Sequence, residues 1–386
     1  MSSQAFDICV SGSGAVARAL ALALAGDGWR VALAGQIDQA SSVAPDIRAY
    51  ALNARSIALL ERLRIWPQLK AWSTPVESMV IRGDAAGALE FSAWQQRVTE
   101  LAWIVDAAAL DRLLGEALRY APRVEIVPPM QAGQAPVQAD LLAICEGKHS
   151  TTRAALGVEF ERTDYGHWGV AARLKASQPH RGVARQWFRS PDILALLPFQ
   201  DPVPGASYGL VWSLPKERAE ALLGLPEAEF TAALQAALCE ADPTASDTVG
   251  ELTLASQVAA WPLAVAKAQR WHGPGWVLVG DAAHQVHPLS GQGLNLGLAD
   301  VDTLASVLGE AKRCESWRSA GDDKLMRRYV RRRVAPTQSM QWLTDGLLNL
   351  FADDRQAIKS LRNTGMSLVD RLPAVKQWLV GRALDA

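Results

Sequence analysis

The sequence predicts an α/β protein: a Rossmann-like parallel-sheet domain interleaved with a mixed or antiparallel-sheet domain and followed by a C-terminal helical region. Three observations carry this. An apolar run, FDICV (6–10), opens directly into Gly12-Ser13-Gly14-Ala15-Val16-Ala17 and a helix of Ala and Leu. Far downstream a second glycine-rich passage, GDAAHQVHPLSGQGLNLGLADV (280–301), again joins an apolar run to a helix. Between the two lie several stretches that alternate apolar and polar residues with the period of strands. At 386 residues the chain is large for one core, which agrees with two or three domains or one large interleaved fold.

The first passage is a βαβ unit, since RVALA (30–34) supplies a second strand after Gly26 and Gly28. Its glycine turn has the form GxGxxA. Gly12 permits the turn, Gly14 lets the backbone approach a pyrophosphate, and Ala17 lets helix and strand pack closely. The helix start then offers unpaired N–H groups and a positive dipole end. An acidic residue that grips a ribose is expected where the second strand ends. Here that place reads Ala34-Gly35-Gln36, leaving Gln36 or Asp38 as the nearest polar substitutes.

Residues 77–97 read as a hairpin around Gly83 and Asp84 that joins a second sheet. HWGVAARLKA, ARQWFRS, ILALLPFQ and ASYGLVWSL supply its antiparallel strands, with helices over 215–224 and 226–240 beside it. The last part of the chain has helical apolar spacing in TDGLLNLFADD and SLVDRLPAVKQWLVGRAL. These elements divide the chain into a nucleotide-binding domain (1–75, 100–165 and 260–320), a substrate-binding sheet domain (76–99 and 166–259) and a helical region (321–386).

Composition narrows the function. With 39 basic and 40 acidic residues there is no field to attract a polyanion, so no nucleic-acid partner is expected. Four scattered cysteines without a CxxC pair fit buried thiols in a reducing compartment, hence a cytoplasmic protein. No secretory signal and no spanning stretch is visible. The 14 tryptophans suit either core packing or a surface for apolar ligands. His284, His287 and Asp281 are spaced like metal ligands, but Pro288 breaks the helix such a pair needs, so no metal is expected. The run RRYVRRR (327–333) reads as a solvated helix face paired with Asp322 and Asp323, with lipid head-group contact as the other option.

Two further segments join the glycine passages: DIRAYALN (46–53) followed by SIALLERLRIW, and CEGKHSTTR (145–153). With GSGAVA and GDAAHQVHPLSGQGLNLGLADV, in this order and spacing, they resemble the class A flavin monooxygenases of the para-hydroxybenzoate hydroxylase type. Within these the chain resembles the ubiquinone-biosynthesis hydroxylases of the UbiH/VisC group. FRSPDILALLPF, YGLVWSLP, AWPL, LMRRYVRRR and LRNTGMSLVDRLPAVKQWL extend the likeness over nearly the whole chain. The GDAAH passage is the most specific part.

The resemblance implies FAD as cofactor, so the first domain becomes an FAD-binding one, with NAD(P)H as co-substrate. It also implies hydroxylation of an aromatic ring through a flavin C4a-hydroperoxide, with no protein nucleophile or metal. The substrate it implies is an apolar, polyprenylated phenol of ubiquinone biosynthesis. Carried over residue by residue, the cofactor contacts are Gly12, Gly14, Ala17, Arg48, Asp106, Asp281, Pro288, Gly291, Gln292, Gly293, Leu294 and Asn295. Asp281 accepts hydrogen bonds from ribityl hydroxyls, and the helix from Leu294 points its N-terminus at the flavin. For Asp106 a helix N-cap ahead of AAALDRLL is equally good chemistry. Trp187, Phe188, Leu196 and Trp212 are the candidate walls for substrate.

Departures from the pattern are the missing ribose acid, Glu146 where the family has Asp, and no Arg shortly before AWPL. They leave a second option, a family member without catalysis that serves as a structural component of a ubiquinone-biosynthesis complex. Other proteins of that pathway, and peripheral contact at the inner face of the membrane, are the partners and placement that follow.

Overall fold

The computed structural model describes residues 6–36, 46–83, 87–131, 136–286 and 292–352. Its first sheet has six strands in the order His272–Gly273, Trp276–Leu278, Ala139–Ile144, Phe6–Ser11, Val31–Ala34 and Val124–Val127. Phe6–Ser11 lies in the centre, parallel to both neighbours, with Ile8 opposite Val31 and Leu141. A parallel sheet is covered on both faces, so its strands read as continuous apolar runs. Helices Ala15–Gly26, Ala107–Arg119 and Gln292–Cys314 cover one face through Leu20, Leu24, Leu110, Leu114, Val301 and Leu304, whereas Cys9 and Ala32 point to the other face and pack with Val127 and Met130.

The second sheet has nine strands. Phe160–Ala176, Ser207–Pro215, Asp192–Phe199 and Val183–Arg189 follow one another as antiparallel neighbours, as the alternation predicts. The expected hairpin, Ser78–Arg82 with Ala88–Ser92, adds on by a parallel pairing to Val183–Arg189. Asp84 at its tip lies outside the described residues. Helices Lys216–Leu223 and Glu227–Ala241 cover one face.

Three features differ from the sequence expectation. Ala259–Ala268, placed by sequence in the nucleotide-binding segment, is a strand of the second sheet, paired with Phe160–Ala176. That 17-residue strand runs on past a register shift between Asp164 and Trp168, so no loop marks the expected boundary near 165. A small third sheet also joins Ala49–Leu52, Ala102–Asp106 and Thr74–Val76.

The candidate substrate walls also need correction. Trp187, Leu196 and Trp212 are fully buried against the covering helices, together with Phe230 and Leu234, and form core. Strand side chains alternate faces, so only Phe188 of the four points the other way, beside Ile193. Finally, the basic run in the C-terminal helix Asp323–Ala352 is only partly solvated. Met326, Tyr329, Arg333 and Thr337 recur with the helical period on its buried side. Charge alone does not show which arginine of such a run turns inward. No helix among the described residues is long and apolar enough to cross a membrane.

Candidate cofactor site

The first strand ends in a turn that only glycine can make. Gly12 has φ +138°, and a Cβ there would stand 2.5 Å from the Cys145 carbonyl oxygen. Gly14 precedes the helix Ala15–Gly26 without any side-chain cap, and the space where its Cβ would be is open for 4 Å. The first amides of that helix are therefore available to an anion. Ala17 is buried in the crook of the turn. Arg18, which sequence reasoning did not single out, fixes the turn from behind. Its Nε donates to the Ser13 carbonyl (2.7 Å) and its Nη1 to the Asp111 carbonyl (2.8 Å). A lone arginine inside a helix of Ala and Leu was the available signal.

The second passage meets this turn directly. Strand Trp276–Leu278 leads into a single helical turn, Gly280–Ala282. A Cβ on Gly297 would come within 2.7 Å of Val16 Cγ2, and one on Gly280 within 3.3 Å of Val16 Cγ1. Val16 of the first glycine turn thus sits in a notch made by missing side chains of the second. Two segments remote in sequence form one junction.

Asp281 stands beside that junction with its side chain open to solvent. Protein crowding pushes its carboxyl above the usual range, while His284, Lys148 and Arg48 draw it back. Arg48 is held by Asp46, Nη2 to Oδ2 at 2.6 Å, and lies over the Tyr50 ring. That hydrogen bond raises its pKa, so Arg48 is a fixed cation facing Asp281. Lys148, within CEGKHSTTR, is a second cation in reach that the sequence did not isolate.

Other expected contacts also hold the frame. Asp106 caps helix Ala107–Arg119 by accepting from the Ala109 N–H (2.9 Å), and its other oxygen pairs with Arg173 at 3.1 Å. Arg173 also donates to the Arg48 carbonyl (2.8 Å), tying the second sheet to the strand beside Arg48. Asn295 is buried, and its side chain is fully committed. Its amide Nδ2 donates to the Ala51 carbonyl (2.7 Å), while Oδ1 accepts from Ser56 Oγ (2.7 Å) and the Asn53 N–H (3.1 Å). It latches the Arg48 segment onto helix Gln292–Cys314. Gln292 and Leu294 lie in the first turn of that helix, and Gly293 faces open space. Pro288, Gly291 and His287 lie outside the described residues. His284 is buried, stacked on Trp271 and hydrogen-bonded through Nε2 to Asp300 (2.7 Å), an ordering role.

Two of the three departures in sequence have structural counterparts. Glu146 accepts from Ser11 Oγ (2.6 Å), Ser150 Oγ (2.7 Å) and the Thr152 N–H (3.0 Å). Burial would raise its carboxyl, but these donors outweigh burial and hold it below the ordinary range. Glu146 thus pins the first strand to helix Thr151–Ala155. Arg153, one turn on, donates to the carbonyls of Ala282 (3.0 Å) and Lys148 (3.0 Å), joining this segment to the Asp281 turn. At the missing ribose acid, a Cβ on Gly35 would be 2.7 Å from the Gly12 carbonyl oxygen. The strand end is pressed against the glycine turn, and Gln36 is the first exposed side chain beyond it.

Open amides at Gly14 and an exposed carboxylate flanked by the cations Arg48 and Lys148 fit an extended dinucleotide. The comparisons agree. The chain is 28% identical, over the full length of both proteins, to the 3-demethoxyubiquinol 3-hydroxylase of Escherichia coli. It is 27% identical to the ubiquinone hydroxylase UbiL of Rhodospirillum rubrum, covering 98% of this chain and 89% of that one. Among solved structures, PqsL of P. aeruginosa in complex with 2-aminobenzoylacetate superposes with a TM-score of 0.76 at 19% identity, covering 93% of this chain and all of that one. The p-nitrophenol 4-monooxygenase PnpA of Pseudomonas putida follows at a TM-score of 0.73 and 17% identity, covering 98% of each chain. A protein family described as FAD binding domain matches residues 120–342, from just after helix Ala107–Arg119 into the C-terminal helix. That match spans more than half of the chain and contains the Asp281 turn, and the protein belongs to this FAD binding domain family.

Proposed function

We propose that the protein is an FAD-dependent hydroxylase acting on the ring of an apolar phenol of ubiquinone biosynthesis, with NAD(P)H as electron donor. The observation that carries this is the Val16–Gly280–Gly297 junction, which brings the two glycine turns and Asp281 to one place. In such a reaction one atom of dioxygen enters the ring, the other leaves as water, and NAD(P)H supplies two electrons. Bound FAD supplies the redox chemistry.

The chain supplies binding, orientation and exclusion of water. The uncapped amides after Gly14 suit a pyrophosphate, and Asp281 suits hydroxyl donors. Residues directly paired across strands share a face, and Gly169, Ala171, Ala195, Val211 and Ser213 share one that is free of the covering helices. A Cβ on Gly209 of this face would be 3.0 Å from Ala49 Cβ, next to Arg48, so the face looks toward the cofactor side. Its centre is made of small residues, with Phe188 and Ile193 toward one edge and Trp261 toward the other. That is a shape for a flat apolar ring. So apolar a substrate favours a cytoplasmic protein working at the membrane face.

A yellow purified protein whose NAD(P)H oxidation rises with a prenylated phenol, and which yields an oxygenated product, is the expected result. The second reading, a structural component without catalysis, is favoured by Gly35 lying where a ribose-binding carboxylate is expected. It predicts a colourless protein that added FAD does not reconstitute.

A further inference from the structure

The helix Gln292–Cys314 buries one carboxylate, Asp300, completely. Its partners come from two other parts of the fold. Oδ2 accepts from the Gly280 N–H (2.8 Å), in the turn that carries Asp281, and from His284 Nε2 (2.7 Å), two residues beyond it. Oδ1 accepts from Arg333 Nε (2.5 Å) on the C-terminal helix. Arg333 is 1% exposed and also donates through Nη2 to the Leu296 carbonyl (3.2 Å). One turn earlier Tyr329, equally buried, donates to the carbonyl of Leu278 (3.2 Å), where the strand enters the same turn. Burial alone would raise the Asp300 carboxyl, but His284 and Arg333 draw it down to about 2, so it stays charged.

A buried ion pair costs desolvation and is weak evidence for stability, whereas removing one partner strands the other charge. Here the stranded charge would be Asp300, whose other oxygen fixes the peptide N–H immediately before Asp281. The C-terminal helix therefore neutralises the group that shapes the cofactor turn. We propose that Asp300 and Arg333 are positioning residues for this turn, so that FAD retention depends on the C-terminal helix being docked. The proposal rests on the assignment of the Asp281 turn to FAD. Coupling of this kind is reciprocal: FAD must tighten the docking of the helix by the factor by which docking tightens FAD.

Hydrogen exchange on the unmodified full-length protein, with and without saturating FAD, tests this without any variant. Amides of 326–337 are expected to exchange about tenfold more slowly with FAD, while those of Lys216–Leu223 and Glu227–Ala241 stay unchanged. Flavin fluorescence titration supplies the second arm. Arg333→Met is expected to weaken FAD about tenfold, Arg333→Lys to recover part of the loss, and Arg332→Ala, on the solvent side of the same helix, to match the parent. If Arg333→Met does not fold, the exchange experiment decides alone. Exchange at 326–337 that ignores FAD, or a folded Arg333→Met with parental affinity, overturns the coupling. A parent protein that binds no FAD overturns the site assignment instead.

Discussion

The junction of the two glycine turns is shaped by side chains that are missing, whereas the helix-covered face of the nine-stranded sheet is shaped by the largest ones the chain has. At the junction Gly12, Gly280 and Gly297 let backbone and Val16 come together. On the sheet face Trp187, Tyr208 and Trp212 are buried with Phe230 and Leu234. Close approach of backbone contributes little apolar area but sets where a ligand lies. Large buried rings contribute most of the transfer free energy and touch no ligand. Binding and stability should therefore respond to different substitutions.

The sharpest break of that contrast is Gly12→Ala, which combines a left-handed φ with a Cβ 2.5 Å from the Cys145 carbonyl oxygen. Complete loss of flavin absorbance is expected, and a variant that still copurifies with FAD would dissolve the distinction. Next, Trp212→Ala should lower unfolding free energy by about 3–5 kcal/mol in urea titration. Its FAD affinity should stay within about twofold of the parent, measured under conditions where both are folded. Asp281→Ala reverses the pattern, with FAD about tenfold weaker by fluorescence titration and unfolding of the FAD-free protein shifted by under about 0.5 kcal/mol.

The smallest effect is that of Glu146. Its carboxyl is held below the ordinary range in the folded protein, so it stabilises fully above an unfolded value of about 4.3 and that contribution fades as pH falls through the folded value. Allowing for its partial exposure, about 1–2 kcal/mol is expected to be lost on acidification. Glu146→Gln should flatten that part of the stability curve between about pH 5 and pH 3. An unchanged slope would remove Glu146 from the frame of the site.

What could be read in the sequence was what is decided locally. Gly12 and Gly14 carry their own stereochemical reason, and alternation at 167–214 places strands whatever surrounds them. The dual reading of Asp106 was local too, and its N-cap is observed, with Arg173 on the second oxygen. Facts about partners were not legible. Nothing near Arg333 marks it as the arginine that turns inward, because its partner lies 33 residues away. Asn295 sits in a motif that suggests ligand contact, yet its amide serves Ala51 and Ser56, more than two hundred residues earlier. Alternation puts Trp187 and Phe188 on opposite faces of their strand but does not say which face the helices take. Ala259–Ala268 was misplaced for the same reason, since ladder partners are set by register between remote segments.

The uninterrupted run Phe160–Ala176 also bears on how this protein could be recombined with its relatives. A crossover placed inside it, or between it and Ala259–Ala268, would graft mismatched pleats and leave a raw edge of amides and carbonyls, inviting aggregation. Chimaeras that exchange both strands as one cassette should be the ones that survive.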